Sequence, residues 1–440
     1  MQVTAETDHI GKYRILDRLG EGATSEVFRC HDPFNDRDVA IKRMKALGGS
    51  NDRVSARFFA SEAALVGQLN HPNVVRIFDA VTEDPAGPYL VMEYVPGTTL
   101  RSYCRPDCLL PLDQIIEIGF KCAMALNYCN RQGLIHRDVK PANILVAQDG
   151  DAIRDIKISD FGSVLNLHSE ATQIFRVGSL AYMSPEQLDG STLDSHSDMY
   201  SLGAVLFHLI SGAPPFDGSS QTTLMRKVCF DEAPSLLGRR AGVTPELDAL
   251  VLRALAKKPD ERFADWESFA NALSDLVRTH AVPVNDDASY VLDSERFRLL
   301  RGLDFFQDFD DIALWEVVHR ATWQRYAAGE ALSRRGDTDR TFHIIAKGTV
   351  EVYRDGLRVA HLSAGTSVGE MAYLAPSPEL RQRTADVIVT ETATTVAFTP
   401  ESLGRISTSC RQLFDAAFIR VLVRRLHAAH EALAHPRRIL

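Results

Sequence analysis

The chain has 440 residues, enough for two or three domains with cores of their own, and its 45% apolar to 24% charged composition is that of a folded polypeptide. A formal net charge of −9 argues against a nucleic-acid binder driven by bulk electrostatics. No apolar run approaches the roughly 20 residues of a membrane span, and the opening MQVTAETDHI lacks a signal-peptide core. Seven scattered cysteines, with only Cys104 and Cys108 close together, read as reduced thiols rather than a zinc site, so a soluble cytoplasmic protein is expected.

In chain order, the segment from about Tyr13 to Arg278 passes from strand-like alternation into long helical periodicity. Its first notable stretch is LGEGATSEV at 19–27, where Gly20 and Gly22 let a hairpin lie close over a polyphosphate that a Cβ would obstruct. Fifteen residues after Val27 stands Lys42, in VAIK on a strand-like run, placed to reach phosphates as a point charge. RFFASEAALVGQL then reads as a helix carrying Glu62, an ionic partner for Lys42. LIHRDVKPANIL sets Asp138, Lys140 and Asn143 within six residues, and ISDFGS adds Asp160. Carboxylates and an amide oxygen are what Mg2+ ions and an attacking hydroxyl require.

THAVPVNDDAS, Pro-containing and acidic, reads as a linker, with boundaries set at 10–279, 280–290 and 291–435. SERFRLLRGLDFFQDFDDIALWEVVHRA has helical spacing. From about Thr322 the short runs TFHII, TVEVY and RVAHL lie among Gly329, Gly348, Gly356, Gly365 and Gly369, which suggests a small antiparallel barrel or roll. RDG at 354–356 signals a hairpin turn. RQLFDAAFIRVLVRRLHAAHEAL closes the chain as an amphipathic helix with an apolar stripe through Phe414, Phe418, Val421 and Leu422, its arginines read as a solvated face.

Taken in order, the Gly-rich loop, VAIK, HRD and DFG elements resemble the eukaryotic-type protein kinase family. SPE at 184–186 replaces the usual APE, while Asp198 in SDMYSLG and Arg262 in KPDERF match the large-lobe helix anchor and the partner of the SPE glutamate. The resemblance implies an α+β, bilobal protein-kinase fold that transfers the ATP γ-phosphate to protein hydroxyls with Mg2+. It assigns Gly20, Gly22, Val27, Ala40 and Lys42 to the nucleotide, Glu62 to pairing with Lys42, and Glu93-Tyr94-Val95 after the gatekeeper Met92 to the adenine. It makes Asp138 the group that accepts the hydroxyl proton, Lys140 the charge neutraliser, and Asn143 and Asp160 the metal ligands. Lys140 and the stretch GSLAYMSPE are of the serine/threonine type. Ser25 occupies the third glycine position, and Ser179 the place of a structural threonine. Arg137 implies a phosphorylated activation segment, with Thr172 and then Ser169 as autophosphorylation candidates. A pseudokinase scaffold is the alternative, but it usually lacks the Lys, an Asp or the Asn, all of which are present here.

GEMAYLAPSPELRQRT, set in that Gly-punctuated roll, resembles the cyclic-nucleotide-binding (catabolite-activator-like) domain family over roughly 291–435. This implies an antiparallel, jelly-roll-like β-roll with flanking helices. Gly369 would turn the chain so that backbone N–H groups face an anion. Glu370 would accept from a ribose hydroxyl and Arg383 would bond the cyclic phosphate. Ala372 and Ala385 are small enough for close approach, and Thr384 is placed for phosphate or a base edge. APSPEL lengthens the family's usual spacing, leaving Arg381, expected on the same strand face, as the rival of Arg383. The ligand expected is cyclic AMP or cyclic GMP, with cyclic AMP preferred. The competing expectation is a ligand-free docking module or a homodimer through 411–433. Partners are expected to be protein substrates, with no nucleic acid and no membrane.

Overall fold

Alternating apolar residues pair the first strands into an antiparallel sheet. The structure, a computed structural model, describes residues 9–22, 25–45, 67–84, 87–150, 152–161, 180–283 and 292–434. The chain divides into two units, Met1–Ala288 and Ser289–Leu440.

In the first unit, β1 (His9–Ile10), β2 (Tyr13–Glu21), β3 (Ser25–Asp32), β4 (Arg37–Met44), β5 (Ile77–Val81) and β6 (Tyr89–Glu93) form a sheet in the order β1-β2-β3-β4-β6-β5. Phe28, Cys30, Val39, Ile41 and Val91 join Tyr13 and Tyr89 in one buried cluster. Because side chains alternate along a strand, Ala40 and Lys42 project from the opposite face of β4 to Val39 and Ile41. A smaller sheet, β7 (Gly97–Thr99), β8 (Ile144–Asp149) and β9 (Ala152–Ile158), follows the order β7-β8-β9.

The helices are α1 (Leu112–Arg131), α2 (Pro185–Asp189), α3 (Ser195–Ser211), α4 (Gln221–Phe230), α5 (Pro245–Ala254) and α6 (Trp266–Arg278). α1 and α3 are buried along most of their length, which accounts for apolar runs wider than a single stripe. A Cβ on Gly119 of α1 would lie 2.9 Å from a Leu206 methyl on α3, so the glycine permits the close approach of the two helices. The buried Lys121 of α1 is neutralised by Asp155 at 3.0 Å.

In the second unit, α7 (Asp293–Arg301) and α8 (Asp311–Arg320) precede β10 (Thr322–Tyr326), β11 (Ala331–Ser333), β12 (Phe342–Arg354), β13 (Leu357–Ser363), β14 (Ser367–Val368) and β15 (Asp386–Phe398). α9 (Glu370–Leu374) lies between β14 and β15, and α10 (Pro400–Gly404) and α11 (Thr408–Ala434) close the chain. All pairings are antiparallel, in the order β10-β15-β12-β13, with β11 on β15 and β14 on β12. TFHII and TVEVY, expected as separate strands, are one 13-residue strand, β12. Gly348 does not end it but sits where the register shifts, at φ 89°, and a Cβ there would lie 2.5 Å from the Thr392 carbonyl oxygen. The β12–β13 turn has Asp355 and Gly356 both at positive φ, as expected from RDG.

Phe414 and Phe418 of α11 are buried among Phe305, Phe306, Phe342 and Phe398. The expected apolar stripe stops there, because Leu422 is exposed, together with Ile419, Val423 and Leu426. The arginines depart from the expected solvated face as well: Arg420 pairs with Asp308 and donates to the Phe305 carbonyl, and Arg425 pairs with Glu370. All seven cysteines are free, five of them buried. No helix among the described residues is long and apolar enough to cross a membrane.

Candidate active site and ligand pocket

The loop between α1 and β8 is held from beneath. Asp198, in the first turn of α3, accepts the His136 and Arg137 backbone N–H groups, each at 2.7 Å. Two such bonds satisfy a carboxylate whose burial pushes its pKa up. The hold matters because Arg137 sits at φ 66°, where a residue with a Cβ is strained and needs support. Arg262, 2% exposed, forms a forked pair with Glu186 at 2.7 and 2.9 Å, and Ser197 donates to the same carboxylate at 2.8 Å.

On this base three expected residues converge. The Lys140 ammonium donates to both Asp138 oxygens, at 2.9 and 2.7 Å. The short helical turn Pro141–Asn143 brings Asn143 back, so that its Nδ2 donates to Asp138 Oδ2 at 2.9 Å and to the Asp138 carbonyl at 2.8 Å. With Nδ2 so used, Asn143 Oδ1 is the atom a cation would take.

Asp160 follows β9 at φ 62°, and its carboxylate meets the Lys42 ammonium from β4 at 2.5 Å. Lys42 holds the Asp160 carboxyl below the usual carboxylate range. Phe161 is buried against His136, ring centroids 4.6 Å apart, while His136 Nε2 lies 3.0 Å from the Ser159 carbonyl. The next side chain is thereby anchored in the core while Asp160 faces Lys42. Asn143 and Asp160 suit Mg2+, which takes one or two carboxylates and completes its shell with water and substrate phosphates. The described residues hold no group of three or more His, Cys, Asp and Glu side chains that would cage a metal alone.

Gly20 faces Val27 across the β2–β3 ladder, and the Gly22 N–H donates to the Ser25 carbonyl at 2.7 Å. A Cβ at Gly20 would touch nothing within 4 Å, so the protein's own packing does not require glycine there. Space over the hairpin fits a nearby ligand. Val27 pairs with Lys42, and Ala40 pairs with Met92. The Glu93 side chain is engaged by Lys157 at 3.1 Å, and Arg29 lies over the Tyr94 ring at 4.9 Å. Those side chains are therefore tied down, and the backbone through Val95 is the part suited to an adenine edge. Glu62, Ser169, Thr172 and Ser179 lie outside the described residues.

In the second unit Gly369, at φ 86°, caps α9, and a Cβ on it would collide with Arg383 Nη1. The glycine is needed for the guanidinium as well as for the turn. Arg383, 6% exposed, donates to Asp339 at 3.0 Å and to the Thr341 carbonyl. Glu370, 1% exposed, pairs with Arg425, which also donates to the Ser367 carbonyl at 2.7 Å. Glu370 Oε2, Arg383 Nη1 and Ser367 Oγ are buried with no hydrogen-bond partner among the described residues. Buried unpaired polar atoms are costly, and those on Glu370 and Arg383 flank Gly369, as a diol and phosphate pocket would need.

Ala372 is buried beside them and Thr384 is exposed. Arg381 ends the helical turn Pro378–Arg381 and Arg383 lies in the loop beyond it, so the expected shared strand face does not exist. Sequence reasoning missed Asp339 and Arg425. Asp339 lies in an unpatterned loop, and Arg425 is one of several arginines on its helix. His343 on β12 is buried near Arg383, and that burial, with the neighbouring cation, depresses its pKa to about 4.

Residues 13–275 match the family described as Protein kinase domain, and residues 323–409 match Cyclic nucleotide-binding domain. The chain is 38% identical over 296 residues to the serine/threonine-protein kinase PknB of Mycolicibacterium smegmatis, covering 66% of this chain and 46% of that protein. It is 37% identical over 259 residues to a probable serine/threonine-protein kinase PknB of Lactococcus lactis, covering 58% and 40%. The chain thus spans less than half the length of these relatives. A solved Mycobacterium tuberculosis PknI kinase domain is 29% identical, with TM-score 0.47, covering 61% of this chain and 97% of that one.

Proposed function

This chain belongs to the protein kinase family, and we propose that it is an ATP- and Mg2+-dependent serine/threonine protein kinase regulated by a cyclic nucleotide in its C-terminal unit. The observation that carries the activity is the convergence of Asp138, Lys140 and Asn143 on one loop, with Lys42 and Asp160 paired beside it. Asp138 orients the acceptor hydroxyl and takes its proton as the phosphoryl group leaves ATP. Lys140 offsets charge on that group, and Lys42 anchors the other phosphates. Asn143 and Asp160 would hold Mg2+, whose charge would offset that of the phosphate oxygens. Positioning and electrostatics supply most of the rate in such transfers.

Incubation of the chain with MgATP and a mixed Ser, Thr and Tyr peptide set, followed by phosphoamino-acid analysis, tests this. Phosphoserine or phosphothreonine, lost in Asp138→Asn, supports the activity. Transfer that survives the substitution, or transfer confined to tyrosine, contradicts it. Thr172 and Ser169 are the proposed autophosphorylation sites, and phosphopeptide mapping of 163–183 without phosphate removes them.

For regulation, the unpaired Arg383 Nη1 would donate to a cyclic phosphate and Glu370 Oε2 would accept from a ribose hydroxyl. Arg425 already ties Glu370 to α11, so a ligand at Glu370 bears on the closing helix. Calorimetric titration with cyclic AMP and then cyclic GMP, repeated on Arg383→Ala, tests the pocket. Saturable heat abolished by the substitution supports it. No heat from folded protein that binds MgATP favours the second reading, a self-association module, which the exposed Ile419, Leu422, Val423 and Leu426 support.

A further inference from the structure

A cavity of about 590 Å3 opens beside the catalytic loop. Lys140 is one of its walls and also holds the Asp138 carboxylate at 2.7 Å. The cavity therefore adjoins the place where an acceptor hydroxyl would meet Asp138. An extended peptide advances roughly 3.3 Å per residue, so residues flanking the acceptor are the ones placed to reach a cavity that shares the Lys140 wall.

The lining is mainly apolar: Ala142, Ala181, Phe216 and Leu224, the last three buried and so fixed in place. Its inner polar groups satisfy each other. The Tyr182 hydroxyl lies 2.7 Å from His208 Nδ1, and burial lowers the His208 pKa, which favours the neutral ring. The lining carboxylate, Asp217, is at the rim, 91% exposed and 3.6 Å from the Lys227 ammonium. Arg101, an exposed cation, stands on the lining as well.

We propose that this cavity is a substrate-specificity site that takes an aliphatic or aromatic side chain flanking the acceptor serine or threonine, and rejects lysine or arginine there. An apolar side chain gains by leaving water against Phe216 and Leu224. A basic one is desolvated beside Arg101 and Lys140 with no buried carboxylate among the described lining residues to receive it. The inference rests on the kinase reading and gives that reading a substrate class.

The test is a positional-scanning peptide library with a fixed Ser/Thr acceptor, phosphorylated by the full chain with MgATP. At one flanking position Leu, Met or Phe should exceed Lys or Arg by about tenfold, the discrimination an apolar pocket commonly supplies. Arg101→Glu lies on an exposed turn and introduces a carboxylate at the same wall, so it should raise the use of Lys and Arg at that position alone. Arg101→Ala should fall between. A flat profile, a basic preference in the unaltered chain, or an Arg101→Glu profile identical to it overturns the site while leaving the kinase activity standing. No transfer to any peptide from a chain that binds MgATP overturns the kinase reading and this inference with it.

Discussion

The catalytic loop and the C-terminal pocket both set a carboxylate against a cation, yet they complete their hydrogen bonds differently. Around Asp138 the partners lie two and five residues away, and Asp198 anchors the loop from below. In the C-terminal pocket the partners are distant: Arg383 reaches Asp339 across 44 residues and Glu370 reaches Arg425 across 55. Glu370 and Arg383 each also keep one buried atom with no hydrogen-bond partner among the described residues. The first arrangement is preorganised before a reactant arrives. The second is half-finished and tied to a helix, a design suited to sensing a ligand.

The largest expected effect separates chemistry from scaffold. Asp138→Asn keeps the size of the side chain but cannot accept the proton, so kcat should fall by about 10²–10⁴-fold with little change in thermal midpoint. An equal fall in midpoint would mean that Asp138 serves mainly to hold the loop.

Next is the scaffold itself. Arg262→Ala leaves Glu186 buried without its forked partner, at a cost of about 3–5 kcal/mol, measured by urea unfolding of the N-terminal unit. Burial raises the Glu186 carboxyl, and bonds from Arg262 and Ser197 bring it below the usual range. Removing the arginine therefore shifts the carboxyl upward. A cost below about 1 kcal/mol, the level of an exposed pair, would refute the buried-pair account.

These contrasts also decide what was legible in the sequence. Asp138, Lys140, Asn143 and Asp160 are close in sequence to the turns that aim them, so short spacings carried their geometry. Asp198 and Arg262 were legible through the family resemblance. In the roll, Gly369, Glu370 and Arg383 were expected together and lie together, but the side chains that hold Glu370 and Arg383 were not expected. Arg425 sits within VRRL on a helix whose spacing suggested solvent, and only the packing of Phe414 and Phe418 brings that turn over Glu370. β12 was read as two strands because glycine usually punctuates, whereas Gly348 supplies a bulge inside a continuous ladder. The fold class was legible, but tertiary ion pairs that share no motif were not.

Arg425 offers a test of the half-finished pocket. Arg425→Ala strands the buried Glu370 and should destabilise the C-terminal unit by about 2–3 kcal/mol, less than a fully buried pair because the arginine is 41% exposed. Arg425→Lys should restore part of that. By linkage, Arg425→Ala should weaken binding of the cyclic nucleotide proposed for this pocket without touching the ligand, read by calorimetry. Unchanged affinity in a destabilised variant would separate α11 from the pocket.

The smallest effect concerns His343, whose surroundings are Arg383, Asp339, Thr395 and Tyr326. Its folded pKa of about 4 lies below the ordinary value of 6.5, so the folded state keeps the ring neutral while the unfolded chain gains a proton. Stability from this group is complete above pH 6.5 and is lost progressively as pH falls toward 4. At pH 5 the loss should be about 2 kcal/mol in the urea unfolding of the C-terminal unit, at roughly 1.4 kcal/mol per pH unit. His343→Gln should flatten that slope between pH 6.5 and 4. Arg383→Ala removes one of the two causes of the depression, so the loss should shrink but persist through burial. A slope unchanged in His343→Gln would move the acid sensitivity to another group and leave Arg383 without a titrating neighbour.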